Sequence, residues 1–180
     1  MSARMTPALP PFAAGIDEAL ARTMKGRPPL RLFTTLARDP RLFAKFFAGG
    51  LLDRGHLALR QREIVINRTT ARCRSEYEWG VHIAAFGAHV GFDDAQVRAF
   101  VHGDASAPCW DAQDALLIRL CDALHEACDV DDALWEALRQ HFSDEALIEL
   151  LMLAGFYRTV SYLTNALRLP LEETAARFPA

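Results

Sequence analysis

Apolar residues recur at intervals of three and four along almost the whole chain, and this periodicity is the strongest limit on how the chain can fold. Such spacing lines up apolar side chains on one face of an α-helix, whereas a half-buried strand needs strict alternation. No stretch alternates with a period of two for long enough to form a strand. The sequence therefore predicts an all-α protein.

Turn and capping residues divide the chain into a series of predicted helices. Glycine and proline mark most of the ends, and Ser or Asp marks most of the later starts. The predicted ranges are 16–24, 30–37, 41–48, 57–73, 75–91, 93–101, 111–127, 131–142 and 143–167. The clearest start is at Ser75, because Ser75 and Glu78 match the capping box, and Asp93 with Gln96 forms a weaker version of it.

The chain has the size and composition of one folded domain. Its 180 residues are 51% hydrophobic and 24% charged, close to ordinary globular proteins. We predict an N-terminal leader and first helix over residues 1–27 and a single helical domain over residues 28–180. Pro7, Pro10 and Pro11 break the N-terminal apolar stretch, so we interpret it as a floppy leader and not as a signal peptide.

Charge and hydropathy exclude several classes of function. A net charge of −3 provides no basic field for nucleic acid. Glu149 and Arg158 interrupt the most apolar run well short of the roughly 20 residues of a membrane span. The four cysteines contain no CxxC pair and predict no disulfide scaffold, which fits a reducing cytoplasm. They are Cys73, Cys109, Cys121 and Cys128.

Titratable residues share one face of the helix that begins at Ser75. At about 100° per residue, Ser75, Glu78, His82 and His89 fall within an arc of roughly 60°, with Phe86 beside them. Glu78 and His82 stand four residues apart, so the carboxylate can orient the imidazole and raise its pKa for proton transfer. Alternatively, Glu78 closes the capping box and His82 is a hydrogen-bonded core histidine, which spacing alone favours.

A second carboxylate, Glu63, lies in an apolar part of the preceding helix. A tight turn near Arg74 would make the two helices antiparallel, with an axial offset of roughly 4 to 5 Å between Glu63 and His82 at 1.5 Å per residue. The two side chains would then meet across the hairpin. The alternative, slightly favoured by the sequence alone, is a surface carboxylate paired with Arg60 or Arg62.

Several of these residues resemble a known family. LRQRE at residues 59–63, YEWGVH at residues 77–82 and Gly87 resemble the core helical hairpin of the carboxymuconolactone decarboxylase and alkylhydroperoxidase D superfamily. Phe156-Tyr157-Arg158 followed by Asn165 is similar to the closing helix of that family. The resemblance implies an all-helical bundle built around a central hairpin, which usually assembles as a symmetric homo-oligomer with its active site near a subunit interface.

The chain departs from the peroxidase branch of that family, which has the pattern Glu-x11-Cys-x2-Cys-x3-His. Glu63, Ser75, Glu78 and His82 occupy these four places, so both redox cysteines are missing. Peroxide reduction needs an attacking thiolate and a second, resolving thiol. Cys73 is the alternative attacking thiol, but it ends a predicted helix, where the helix dipole disfavours a thiolate.

The remaining resemblance is to the non-redox branch, in which a lactone acid loses carbon dioxide without a cofactor. It implies that His82 is the acid, that Glu63 or Glu78 orients it, and that no cofactor or metal takes part. The residues expected to bind the small-molecule substrate are Ser75 and Tyr77 as donors, and Trp79, Phe86 and Tyr157 as pocket walls. Two alternatives are a Cys73-dependent peroxidase and a non-catalytic oligomeric binding protein.

One further group of residues could mimic a metal site. Cys121, His125 and Cys128 share a helical face, but apolar residues border that face and no fourth ligand is evident. We interpret these three residues as core packing.

Overall fold

The computed structural model describes residues 3–180, which contain nine α-helices, one π-helical segment and no strand. The prediction of an all-α fold is confirmed. The helices are α1 (Ile16–Met24), α2 (Arg31–Leu36), α3 (Pro40–Ala48), α4 (Leu59–Arg72), α5 (Glu76–His82), α6 (Asp94–His102), α7 (Ala112–Ala127), α8 (Asp132–Arg139) and α9 (Asp144–Ala166).

The helix predicted over residues 75–91 is not α-helical throughout. It is α-helical only as far as His82 and then becomes π-helical over Ile83–Gly87. A π-helix forms i→i+5 hydrogen bonds, so it turns through a smaller angle per residue than the wheel assumes. The predicted capping box of Asp93 and Gln96 is present at the start of α6.

Helix α4 lies at the centre of the bundle. Residues 63–71 are all buried, because α4 packs against α5, α6, α7 and α9. Three pairs join α4 to α7: Arg60–Asp114, Arg68–Asp122 and Arg72–Glu126. Each pair is separated by 54 residues, and this constant separation shows that the two helices run parallel.

A tight turn joins α4 to α5, as the sequence predicts. Arg74 adopts a left-handed conformation there with φ 54°. The predicted capping box is wrong, because the Ser75 side chain makes no hydrogen bond to its own helix. Ser75 is buried beneath α9, and its Oγ lies 2.8 Å from Oγ1 of Thr164. That long-range partner replaces the local cap and leaves Glu78 free to turn towards His82.

The N-terminal segment packs on the bundle. The Arg4 backbone N–H donates to the Leu167 carbonyl at 2.9 Å, and the Ala8 N–H donates to the Thr34 carbonyl at 2.9 Å. The predicted leader therefore forms backbone hydrogen bonds to the bundle at Arg4 and Ala8; residues 1 and 2 lie outside the described residues. Helices α1 to α3 enclose a second, smaller core of Ile16, Leu20, Ala37 and Phe43.

The C-terminal tail after α9 runs back along α5. The Ala176 N–H donates to the Gly80 carbonyl at 3.0 Å, and Phe178 packs against Trp79 with ring centroids 5.1 Å apart. A Cβ at position 80 would collide with the Ala176 carbonyl, so glycine permits this close approach. The tail therefore covers one side of the hairpin.

Helix α9 is long and apolar enough, by length and composition alone, to cross a membrane. In the structure it packs against α4, α5 and α8, and 44% of its most apolar 18-residue window is buried. These contacts make α9 a core helix of the bundle, with one face left exposed.

Candidate active site

The centre of the candidate site is a buried contact between α4 and α5. Nδ1 of His82 lies 2.8 Å from Oε2 of Glu63, and both side chains are almost inaccessible, at 6% and 0% exposure. The contact predicted from the hairpin offset is therefore present. Burial of Glu63 excludes the alternative of a surface carboxylate.

A second carboxylate approaches the other nitrogen of the same ring. Oε1 of Glu78 lies 3.4 Å from Nε2 of His82, a longer contact than that with Glu63. The other Glu78 oxygen, Oε2, is buried and has no hydrogen-bond partner, and the same is true of Oε1 of Glu63. His82 thus lies between two carboxylates, each of which has one buried oxygen without a hydrogen-bond partner.

Two aromatic rings enclose the imidazole. Tyr157 of α9 packs edge-on against His82 at 5.1 Å between ring centroids, and Phe86 of the π-helical segment lies 5.5 Å away at a shallow tilt. Phe156 extends this wall, because its ring contacts that of Tyr157 at 5.6 Å. Burial and the charges of Glu78 and Glu63 raise the pKa of Tyr157 well above its usual value, so this phenol stays neutral.

The two carboxylates keep the imidazole protonated. Burial alone would lower the pKa of His82, but the charge of Glu63 and hydrogen bonding to it, with a smaller effect of Glu78, raise the pKa to about 9. At pH 7 His82 is therefore an imidazolium. An imidazolium can donate a proton to a reacting group, as a general acid does.

Arg62 also belongs to this cluster, although its sequence context predicts only a surface partner of Glu63. Its Nε lies 3.5 Å from Oε1 of Glu63, and its guanidinium carbon lies 5.9 Å from the centre of the Phe86 ring. Nη1 of Arg62 donates to the Leu52 carbonyl at 3.1 Å. The only feature of the sequence that links Arg62 to the cluster is its position next to Glu63. A helical wheel places adjacent residues on different faces, so this position does not predict the contact.

Three of the expected substrate-binding residues are engaged elsewhere. Ser75 pairs with Thr164, as described above. Tyr77 donates to the Glu172 carboxylate and accepts from the Leu32 N–H at 3.1 Å, and burial raises its pKa. Trp79 is fully buried against Phe178 of the C-terminal tail. These three side chains attach the hairpin to α9, α2 and the tail. The structure does bring together the other predicted site residues, which are His82, Glu63, Glu78, Phe86 and Tyr157.

His89 lies outside this group and is exposed, although the wheel aligns it with His82. The π-helical segment lies between the two residues and rotates everything after it. Phe86, inside the segment, still contacts the imidazole.

Cys73 follows the last residue of α4 and Cys128 follows the last residue of α7, whereas Cys121 lies within α7 and Cys109 precedes it. Sγ of Cys73 is 3.8 Å from Nδ1 of His125, and burial raises the pKa of Cys73. Cys121 is buried, with its thiol directed at the Val65 carbonyl, and Cys128 is exposed beyond the end of α7. Within residues 3–180, no group of three or more His, Cys, Asp and Glu side chains is arranged to hold a metal ion.

Two cavities in the described part of the chain lie beside α9, and neither is lined by His82. One of about 180 Å³ includes Thr69, His125 and Arg158 in its walls. The other, of about 350 Å³, lies between the end of α7, α8 and α9. The side chains of Glu63, Glu78 and His82 are buried, and the partly exposed Arg62 and Phe86 lie nearest to solvent.

Comparison of sequences identifies no relative, because no protein-family model and no curated protein matches the chain. Solved structures do match. A peroxidase-related protein with an alkylhydroperoxidase D core, from Ralstonia eutropha JMP134, is 22% identical and superposes with a TM-score of 0.83 over 95% of this chain and 93% of its own. A peroxidase-related protein from Silicibacter sp. TM1040 is 18% identical, with a TM-score of 0.80 over 99% of both chains.

The debrominase Bmp8 is also similar. In its apo form it is 13% identical, with a TM-score of 0.76 over 94% of this chain and 92% of its own. At these identities the likeness concerns the fold. The architecture and the structural matches agree with the resemblance seen in the hairpin sequence, and the chain has the same all-helical fold as these alkylhydroperoxidase D-like structures.

Proposed function

We propose that this chain is a cofactor-independent acid/base enzyme in which His82 protonates a carbon atom of a small organic acid. The observation that carries the proposal is the buried imidazole held between Glu63 and Glu78. Proteins seldom bury three titratable groups together without a function, because each charge loses its hydration. The cluster also lies on the hairpin that carries the family resemblance.

The two ring nitrogens of His82 have different tasks in this proposal. Nδ1 forms the short contact with Glu63, which holds the ring and its tautomer in place. Nε2 forms the longer contact with Glu78 and is therefore the nitrogen that releases a proton more readily. Glu78, whose Oε2 has no hydrogen-bond partner, then accepts a hydrogen bond from the substrate or relays a proton from solvent to the ring.

Decarboxylation of a lactone acid is the reaction that best fits these groups. The bond between the substrate carboxylate and its carbon breaks, carbon dioxide leaves, and the electron pair stays on the lactone as an enolate. Nε2–H of His82 then protonates the carbon, and solvent restores the proton to the imidazole. Arg62 and the imidazolium stabilise the enolate charge, and the rings of Phe86 and Tyr157 exclude water.

The substrate has to reach side chains that are buried, since Glu63, Glu78 and His82 are each at most 6% exposed. Arg62 and Phe86 are the members of the cluster nearest to solvent, and we propose that they form the entrance. A guanidinium at the entrance also suits an anionic substrate. Bmp8 was crystallised with 2,3,4-tribromopyrrole, so a protein of this fold does bind a small ring-shaped molecule, which supports a substrate of that size.

A Cys73-dependent peroxidase is the second candidate. It is favoured by the 3.8 Å contact of Cys73 with His125 and by the peroxidase-related description of two neighbours. The raised pKa of Cys73 disfavours the attacking thiolate. The third candidate, a non-catalytic binding protein, is favoured by the close packing around His82.

A panel assay separates the three candidates. Carboxylated γ-lactones and β-keto acids are incubated with the protein, and carbon dioxide release is measured for wild type, Glu63→Gln, His82→Gln and Cys73→Ser. We expect His82→Gln to lose at least 100-fold in rate, Glu63→Gln to lose less, and Cys73→Ser to keep the wild-type rate. Circular dichroism shows whether each variant is folded.

The same proteins are then assayed for consumption of cumene hydroperoxide with dithiothreitol as the reductant. Peroxide consumption that disappears in Cys73→Ser, without any carbon dioxide release, would replace the acid/base proposal with the peroxidase. If folded wild type shows neither activity with these probes, the non-catalytic candidate is the better one.

A further inference from the structure

The smaller of the two cavities beside α9 has room and apolar surface for one ring-shaped molecule. Its volume is about 180 Å³, and helices α4, α7 and α9 form its wall. An apolar protein cavity of about 150 Å³ is large enough to bind benzene. Leu124, Leu151 and Ala154 supply apolar surface to the wall. The cavity therefore fits a six-membered ring with a small substituent.

Arg158 brings a positive charge to the lining of this cavity, and within residues 3–180 no Asp or Glu lines it. Nη1 of Arg158 donates to the carbonyls of Leu124 and His125 at 3.3 and 3.2 Å. Its Nε donates to Oη of Tyr162 at 2.9 Å. These bonds hold the guanidinium in place, and its other terminal nitrogen, Nη2, takes part in none of them. A fixed guanidinium with N–H groups to spare is suited to binding a carboxylate.

The surroundings of His125, which also lines the cavity, carry an excess of positive charge. Burial lowers the pKa of His125, and the charges of Arg72 and Arg158 lower it further. The opposing effects of Asp122 and Glu126 are smaller. The imidazole is therefore neutral at pH 7, and the net field at this edge of the cavity attracts an anion.

On the α4 side of the cavity, Thr69 has a hydroxyl without a partner. Thr69 is 6% exposed, and its Oγ1 is buried and forms no hydrogen bond within residues 3–180. The thiol of Cys121, which also lines the cavity, is directed at the Val65 carbonyl at 3.8 Å. Buried hydroxyl groups in folded proteins nearly always have a partner. An oxygen atom of a ligand in the cavity would provide one.

We propose that this cavity is a binding site for a small ring-containing carboxylate, with the carboxylate at Arg158 and a ligand oxygen at the Thr69 hydroxyl. The site has the three features that such a ligand needs, which are an apolar wall, a fixed guanidinium and a buried hydroxyl without a partner. It lies outside the candidate active site, so it does not depend on the function proposed above.

Charge also determines which way the ligand lies. The larger cavity adjoins the smaller one, because Leu124 and Leu151 line both. Asp129 and Asp132 line the larger cavity and would repel a carboxylate. The carboxylate therefore lies at the Arg158 end, and the ring lies against the leucines that the two cavities share.

Titration of the full chain with benzoate, followed by the NMR shifts of the backbone amides, tests the proposal. We expect saturable shifts at Thr69, Leu124 and Gly155, with a dissociation constant of about 0.1 to 1 mM. Benzyl alcohol has the same ring without the charge and should bind about tenfold more weakly. Absence of saturable shifts up to about 10 mM benzoate would overturn the proposal. Shifts confined to the surroundings of Glu63 and His82 would also overturn it, because benzoate would then bind at the candidate active site.

Arg158→Gln removes the charge and should weaken benzoate binding about tenfold, while binding of benzyl alcohol stays the same. Arg119→Gln is the matched control, because Arg119 is an exposed arginine of α7 outside the cavity lining. It should bind benzoate as wild type does. Equal effects of the two substitutions would contradict a specific role of Arg158. Equal losses of benzoate and benzyl alcohol would show that Arg158 only holds the wall in shape, and would overturn the proposal.

Two uncharged substitutions test the rest of the wall. Thr69→Val replaces the hydroxyl with a methyl group and should weaken benzoate binding about fivefold. Gly155→Leu places a side chain where a Cβ meets nothing within 4 Å, and leucine favours a helix, so the variant folds while its side chain occupies space at the cavity wall. Thr159→Leu adds the same side chain to α9 outside the lining and should bind benzoate as wild type does. Unchanged affinity in both Thr69→Val and Gly155→Leu would place benzoate elsewhere and overturn the proposal.

Discussion

At the scale of single residues, His82 is held charged by its neighbours in a place where burial would otherwise remove its proton. Desolvation lowers the pKa of His82, whereas the two carboxylates raise it, and the effect of the carboxylates is larger. Arg62 compensates part of the remaining negative charge of Glu63. The cluster therefore contains two carboxylates and two cations, and each member depends on the others.

Replacement of Glu63 by Gln should lower the pKa of His82 by more than one unit. The substitution removes the charge that raises this pKa most, while the desolvation that lowers it remains. The pKa can be followed by NMR titration of the imidazole. Glu78→Gln is the control and should cause a smaller fall, because its contact with His82 is longer, at 3.4 Å. A larger effect of Glu78→Gln would reverse the order of the two carboxylates.

The raised pKa of His82 also predicts how the free energy of unfolding depends on pH. The folded value is about 9, and the unfolded value is about 6.5. The stabilisation is fully present below pH 6.5 and is lost as the pH rises through 9, on the order of 3 kcal/mol in all. Urea unfolding at pH 6 and pH 9.5 should show that wild type loses about this much more than His82→Gln. Parallel losses in the two proteins would contradict the prediction.

The sequence predicts contacts between residues that lie close together along the chain. It does not predict contacts between residues that lie far apart along the chain. Glu63 meets His82 because a tight turn and the helical rise determine their offset. Ser75 and Tyr77 bond to Thr164 and Glu172, far along the chain, so no local pattern reveals these partners. Local geometry was therefore sufficient for the hairpin but not for its attachment to the rest of the fold.

At the scale of helices, the bonds between α4 and α7 differ greatly in burial. Arg68 is 2% exposed, forms two bonds to Asp122 at 2.7 and 2.8 Å, and also donates to the carbonyls of Phe100 and Gly103. The next pair, Arg72–Glu126, lies at the surface, with Glu126 67% exposed. The Arg68–Asp122 pair is bidentate and largely buried, whereas the Arg72–Glu126 pair is a single hydrogen bond at the surface.

Asp122→Ala should therefore destabilise the fold far more than Glu126→Ala. Loss of Asp122 leaves a buried guanidinium without its counter-charge, which costs roughly 3 kcal/mol. Loss of Glu126 removes an exposed ion pair worth less than about 1 kcal/mol. Urea unfolding of the two variants measures the difference. Equal effects would mean that Arg68 is solvated, or that its carbonyl partners suffice.

The π-helical segment is where helical periodicity no longer predicts which way the side chains face. A wheel assumes one rotation per residue over the whole helix, which holds as far as His82 and fails over Ile83–Gly87. His89 consequently turns to solvent, while Phe86 remains beside the imidazole. Backbone hydrogen bonding, rather than the apolar pattern, determines which side chains after His82 reach the site.

At the scale of the whole molecule, the buried apolar residues form two clusters of unequal size. The large one surrounds α4 and includes Leu117, and the small one joins α1 to α2 and α3 and includes Leu20. The half-buried residues Phe33 and Leu36 contact both clusters. The division predicted from the sequence, with residues 1–27 apart from residues 28–180, therefore crosses the small cluster, which contains residues from both sides.

Two leucine truncations test whether the clusters unfold together. Leu117→Ala should lower the global free energy of unfolding by about 2–5 kcal/mol, because it opens a cavity in the core around α4. Leu20→Ala should mainly remove hydrogen-exchange protection from α1, because α1 packs on the small cluster, whereas Leu32 of α2 belongs to the core around α4. Hydrogen exchange by mass spectrometry distinguishes the two effects. If Leu20→Ala weakens α4 as much as α1, the small cluster belongs to the same cooperative unit as the core around Glu63 and His82, and the N-terminal helices then contribute to holding the candidate site together.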